Sequence, residues 1–137
     1  MAQEIVIAAG KRTPFGDFGR SLKDIPLSTL ATHAAKATVE AAGIEAGDVD
    51  HIVWGNVLPV DPDGFYVGRV AGLNIGMAEE SCALQVNRAC GSGTQAIITA
   101  AQQIMTGHGK IALAAGGGRN TAWTVRHFKR LGITLKP

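Results

Sequence analysis

The sequence predicts an α/β sandwich on a mixed or parallel sheet, and three observations carry that prediction. Short β-rich runs alternate along the chain with longer segments whose apolar residues recur at helical spacing. Glycines punctuate the helical segments, with Gly43 after the first and Gly107 and Gly109 after the last. At 137 residues, 46% hydrophobic and 18% charged, the chain has room for one core.

The elements follow in order. Residues Glu4 to Ala9 read as a short strand, followed by an irregular stretch in which Pro14, Gly16 and Gly19 interrupt regular backbone. From Pro26 to Ala42, Leu27, Leu30, Ala31, Ala34, Thr38 and Ala41 form a helical stripe; Pro26 suits a first turn and Gly43 a C-cap. His51 to Leu58 is apolar on both alternating sets, so neither face is suited to water and a central buried strand is expected. Tyr66 to Ile75 reads as a short helix whose Gly68 and Gly72 would let another element pack closely. A strand over Cys82 to Asn87, a tight corner and a helix from about Gly91 to Thr106 come next, the helix with the stripe Ala96, Ile97, Ala100, Ala101, Ile104 and Met105. Lys110 to Ala115 reads as another buried strand, closed by Gly116, Gly117 and Gly118.

Several function classes fall away. No window approaches the roughly 18 consecutive apolar residues of a membrane span. The first residues carry Glu4 early and their apolar run stops at Gly10, so a cytoplasmic chain is expected. Cys82 and Cys90 cannot make a disulfide scaffold and sit in no zinc-type cluster, so no metal is expected. The net charge of +2 is uneven: residues 1–118 hold 8 Lys and Arg against all 11 Asp and Glu, a net −3, and residues 119–137 hold 5 Lys and Arg with no acid. That basic end, with Trp123, His127 and Phe128, suits a nucleic-acid arm, but no other feature of the chain supports one, and no nucleic-acid partner is expected.

The chemistry concentrates at residues 84–106. Cys90 stands where a strand ends and a helix begins, flanked by Gly91, Ser92 and Gly93. Unpaired N–H groups and the helix dipole favour negative charge there, which favours the thiolate. The same donors, at Gly91, Ser92 and Gly93, are candidates to hold an oxyanion during acyl transfer. The arrangement is that of a nucleophile elbow with Cys in place of Ser. Cysteine is also among the most buried residue types, so local chemistry leaves nucleophile and core filler both open for Cys90. For Cys82, inside a strand with no glycine corner, the core reading is expected. Gly91, Gly93 and Ala96 also outline a dinucleotide fingerprint, but that motif needs an acid about 20 residues on, and no Asp or Glu follows Glu80.

The segment VNRACGSGTQAI (Val86 to Ile97) resembles the active-site cysteine motif of thiolases, V-N-x-x-C-G-S-G-x-Q-A-I, at every fixed position. Arg12 to Leu22, Asp48 to Leu58 and the GKIALAAGGG strand resemble further family segments, so the resemblance covers about residues 4–118. Arg20 departs from it, standing where a second glycine is common. The resemblance implies a thiolase-like layered sandwich, here an incomplete N-terminal half with a mixed sheet. It implies an acyltransferase of fatty-acid metabolism, catalysing reversible Claisen condensation or thiolysis of 3-ketoacyl-CoA. Cys90 would form the acyl-enzyme, and coenzyme A thioester would be the substrate with no further cofactor. Thiolases are homo-oligomers that pair through the strand before the nucleophile, here about Ala83 to Asn87.

The departures are as informative. The family's second Cys and its activating His lie in a C-terminal half, yet no Cys follows Cys90 here and the later histidines are only His108 and His127. The family continues past this strand with G-G-x-E-x-M-S-R-A-P, whereas this chain reads GGGRNTAWTVRHFKR. One allowed codon choice for residues 119–129, read one nucleotide earlier, spells AEHSMDRAPFQ, which resembles the family's continuation with one residue more between the Glu and the Arg-Ala-Pro. The sequence is therefore read as residues 1–118, a partial thiolase N-terminal domain, and residues 119–137, a basic non-family tail from a reading frame that slips near Gly118, expected to be disordered. A truncated, inactive acyltransferase is the leading reading. A non-catalytic dimerisation or interaction fragment is the alternative, and a ketoacyl-synthase-like condensing enzyme a weaker one.

Overall fold

The computed structural model describes residues 4–118. It contains α1 (Leu27–Ala42), β1 (His51–Gly55), α2 (Val67–Ile75), β2 (Cys82–Val86), α3 (Ser92–Met105) and β3 (Ala112–Gly116). The three strands form one sheet in the order β2-β1-β3, parallel throughout. The expected mixed or parallel sheet is thus parallel among the described residues. The tail expectations, disorder and frame slip alike, fall on residues 119–137 and lie outside them.

Two layers of helix cover the sheet. On one face Leu27 and Ala31 of α1 and Val67 and Ala71 of α2 enclose Trp54, while Ala35 and Val39 pack with Ile52, Met77 and Leu113. On the other face Ala96 and Ala100 of α3 close over Val53. Val53 and Val67 are fully enclosed, and burial of side chains this size stabilises by about 1.5–3 kcal/mol each. β1 is the central strand, as its two-sided apolar pattern requires, and everything from Ile52 to Gly55 is buried.

Glycine chemistry sets the helix boundaries and approaches. Gly43 and Gly76 both adopt left-handed backbone, with φ of 67° and 96°, and end α1 and α2. Gly68 and Gly72 allow α2 onto the sheet: a Cβ at Gly68 would lie 2.9 Å from Trp54 Cβ. The start of α1 is capped from a distance, since Asp61 accepts the Leu27 N–H at 2.9 Å and Asp63 accepts the Ser28 hydroxyl at 3.0 Å. The loop between β1 and α2 therefore folds back over α1.

Four expectations need correction. Glu4 to Ala9 forms no strand; no described strand pairs with it, and Val6 and Ile7 stand exposed, because β propensity without a partner edge does not make a strand. β1 ends at Gly55 rather than Leu58, where the chain turns away through Pro59 into the loop that reaches α1. Cys82 is exposed rather than core, because β2 is an edge strand whose first three residues are uncovered. β3 is the other edge, with only Leu113 buried, so it is not the buried strand expected.

Candidate active site

The carboxyl ends of β1 and β3 are stripped of side chains so that the start of α3 can approach. A Cβ at Gly55 would lie 2.6 Å from the backbone carbonyl of Ser92, and one at Gly116 would lie 3.1 Å from Gly93 Cα. The close approach at these two glycines is a non-local contact, which the strand patterns alone do not show. The signal was present in the pattern of glycine at strand ends, in Gly55 and in Gly116 to Gly118.

Between β2 and α3 the chain turns through Asn87 to Gly91. Ala89 takes φ of 46°, the one non-glycine residue with positive φ among the described residues. Left-handed backbone costs an L-residue roughly 1–2 kcal/mol, so neighbouring groups must hold it. Ser92, 4% exposed, supplies two of them: its Oγ accepts the Arg88 N–H at 2.9 Å and donates to the Ala89 carbonyl at 2.7 Å. Asn87 supplies a third from the other side, its Oδ1 accepting the Ala89 N–H at 3.1 Å while its Nδ2 donates to the Val57 carbonyl at 3.1 Å. Arg88 reaches along the helix to Gln95 Oε1 at 2.9 Å.

Cys90 comes directly after this strained residue and directly before Gly91, the N-cap of α3. Its thiol is exposed. The three candidate oxyanion donors are used differently. The Gly91 N–H donates to the Arg88 carbonyl at 2.9 Å and the Ser92 N–H to the Ala89 carbonyl at 3.1 Å, so both are spent on the corner. The Gly93 N–H has no acceptor among the described residues, and the position of a Gly93 Cβ is open space. A cleft of about 780 Å³ adjoins the corner, lined by Cys90, Ser92, Gly93 and Ile97 and also by Phe15 and Phe18. Arg12 lies over the Phe15 ring at 4.9 Å there.

The outer face of α3 departs from expectation. Ala96 and Ala100 of the expected stripe are buried, but Ile97 and Met105, with Ile98 beside them, are exposed at 49%, 59% and 40%. The helix is apolar on two faces and one of them is uncovered by the described residues. Of the three described histidines, His33 lies in α1, and His51 and His108 meet at the opposite end of the sheet, where the His51 ring contacts the His108 carbonyl.

The structure is thus a parallel α/β sheet that carries a strained corner, with an exposed cysteine beside a helix N-terminus, beyond the carboxyl ends of its strands. The family described as thiolase, N-terminal domain, matches residues 5–131. The chain belongs to the thiolase family. It is 42% identical over 116 residues to the beta-ketothiolase BktB of Cupriavidus necator, covering 85% of this chain and 29% of that protein. It is 39% identical over 112 residues to human mitochondrial 3-ketoacyl-CoA thiolase, covering 82% and 28%. The solved structure of that human enzyme in complex with CoA superposes with a TM-score of 0.76 over 78% of this chain and 27% of its own, at 40% identity. The acetyl-CoA acetyltransferase of Bacillus anthracis superposes with a TM-score of 0.75 at 33% identity, covering 81% and 28%. The chain thus spans under a third of the length of these relatives. Among the described residues, no helix is long and apolar enough to cross a membrane.

Proposed function

We propose that Cys90 is the nucleophile of a thiolase-type acyl transfer. Its Sγ attacks the carbonyl of an acyl-CoA thioester, the CoA sulfur leaves as the thiol, and the acyl group stays on Cys90 as a thioester. The observation that carries this reading is the exposed thiol at a strained corner, one residue before the N-cap of a helix in a family whose relatives are named as thiolases and acetyltransferases. The unbonded Gly93 N–H and the partial positive charge at the start of α3 support this reading, since both favour an anion such as the one that develops on the attacked carbonyl.

The second half of the cycle needs a base and an acid. Neither described histidine of the sheet's far end bonds to Cys90, and Cys82 lies at the start of the edge strand. We therefore read the 137-residue polypeptide, assayed by itself, as competent to be acylated but not to turn over, because general acid–base assistance contributes about 10²–10⁴ for each group. Incubation with acetoacetyl-CoA followed by mass mapping tests this reading. An adduct on Cys90 without steady thiolysis is expected; robust turnover by the polypeptide that is lost on Cys90→Ala would overturn the second half of the reading, and an adduct that persists in Cys90→Ala the first.

The exposed edge of β2 supports the second part of the proposal, that a second copy pairs along Ala83 to Asn87. Sedimentation with and without Leu84→Lys, at a residue 42% exposed on that strand, tests it: loss of a dimer is expected, and a monomer in both samples contradicts it. The cytoplasmic placement expected from the sequence belongs to this proposal as well, and fractionation distinguishes it from the mitochondrial placement named for some relatives. So does the slipped frame near Gly118, which sequencing of the gene across that codon decides.

A further inference from the structure

We infer that Ser92 is a positioning residue, whose buried hydroxyl locks Ala89 in left-handed backbone and thereby sets Cys90 at the start of α3; the inference rests on the nucleophile reading given above. Three details of the geometry lead there. Ser92 stands two residues after Cys90 and is 4% exposed, and both of its hydroxyl's hydrogen bonds go to the backbone just before Cys90. That hydroxyl spends both a donor and an acceptor on the two residues before Cys90, taking the Arg88 N–H and giving to the Ala89 carbonyl. Asn87 holds the Ala89 N–H, so both backbone polar groups of the strained residue are bound by side chains.

The energetic logic is that of a closed clamp. An alanine relaxes out of left-handed backbone unless its peptide groups lose hydrogen bonds by doing so. With Ser92 and Asn87 in place, leaving that conformation would strand the Arg88 N–H, the Ala89 N–H and a buried hydroxyl. Cys90 is the next residue, so any rotation at Ala89 moves the thiol relative to the start of α3. Ser92 thus acts on Cys90 through the backbone of Arg88 and Ala89.

The test compares the unaltered chain, Ser92→Ala, Asn87→Ala and the double variant Ser92→Ala/Ala89→Gly. Two quantities are read: the ratio of Cys90 to Cys82 alkylation by iodoacetamide at neutral pH, and amide hydrogen exchange at Arg88 and Ala89. Ser92→Ala is expected to cut the ratio about 10-fold and to speed exchange at Arg88. Asn87→Ala, at an exposed position that leaves the core intact, is expected to cut it about 3-fold and to speed exchange at Ala89. Glycine accepts positive φ without strain, so the double variant should regain part of the ratio. The proposal is overturned if Arg88 exchange rises in Ser92→Ala while the ratio stays within twofold, or if Asn87→Ala changes neither quantity. A ratio near one in the unaltered chain would overturn the nucleophile reading, and this inference with it. If Ser92→Ala does not fold, Asn87→Ala alone decides.

Discussion

At the amino ends of the strands the sheet is held by charge, and at the carboxyl ends it is emptied of side chains. Asp50, just before β1, accepts the N–H groups of Lys110 and Ile111 at 2.7 and 3.1 Å, and its own backbone bonds to Ile111, just before β3, and to Cys82 of β2. Those two backbone donors, helped by the nearby His51 and Lys110, hold the Asp50 carboxyl below the ordinary carboxylate range against a smaller opposing effect of burial. At the other end, Gly55 and Gly116 make room for α3, and the backbone strain and the exposed thiol both appear there. A displaced ionisation therefore marks a structural clamp in this protein, and the chemically suited residue is found where the backbone is crowded. Open parallel sheets bind ligands beyond their carboxyl ends, and the cleft beside Cys90 lies at that end.

The largest expected effect falls at the carboxyl end. Cys90→Ala should abolish adduct formation with an acyl-CoA, and Cys82→Ala should leave it unchanged; peptide mapping by mass spectrometry checks both. An adduct that persists in Cys90→Ala would remove the contrast between the two ends altogether.

Next come the glycines that frame the corner. Gly55→Ala would push a methyl group into the Ser92 carbonyl, a backbone atom that cannot move aside, and should cost about 3 kcal/mol, with a fall in Tm of roughly 10 °C. Gly93→Ala meets nothing within 4 Å and replaces a helical glycine, so it should hold or raise stability by up to about 1 kcal/mol. Its methyl group fills the open space beside the free N–H, and alkylation of Cys90 should slow. Thermal melts of the pair decide; equal loss of stability in both would mean that the helix is not seated against Gly55 as described.

The smallest effect belongs to the amino end. The folded-state pKa of Asp50 is depressed, so its contribution to stability is complete above the ordinary carboxylate range and fades as pH falls through the lower folded value. Asp50→Ala should lose no more than about 1 kcal/mol at neutral pH, given the exposure of the group, and the difference from the unaltered chain should vanish in strong acid. Urea melts across that range test the sign. A difference that grows on acidification would contradict the clamp.

Local chemistry was legible in the sequence and lateral order was not. Gly43 ends its helix as expected, Gly68 and Gly72 do accept a close neighbour, and the strand before Cys90 and the helix after it fall within a residue or so of their expected limits. These features depend on residues near one another in the chain. Whether Cys82 is covered depends on β2 lying at an edge, and the fate of Glu4 to Ala9 depends on whether a partner strand stands beside it; neither is encoded in the segment itself. The two-faced apolar surface of α3 has the same origin. Composition showed that the helix is apolar, but only packing shows that Ala96 and Ala100 meet the sheet while Ile97 and Met105 do not. At the corner, Cys90 was legible from its glycine setting, whereas the task of Ser92 was not, because serine beside a catalytic motif is read first as a donor to substrate. Its burial reverses that reading.

The central claim is that the setting of Cys90, and not mere exposure, makes it the reactive thiol. Both cysteines are exposed, so each serves as the other's control. Limiting iodoacetamide at neutral pH, followed by peptide mapping over time, measures the two rates in one sample. Alkylation of Cys90 at least about 10-fold faster than Cys82 is the result this account predicts, and equal rates or preferential labelling of Cys82 would contradict it.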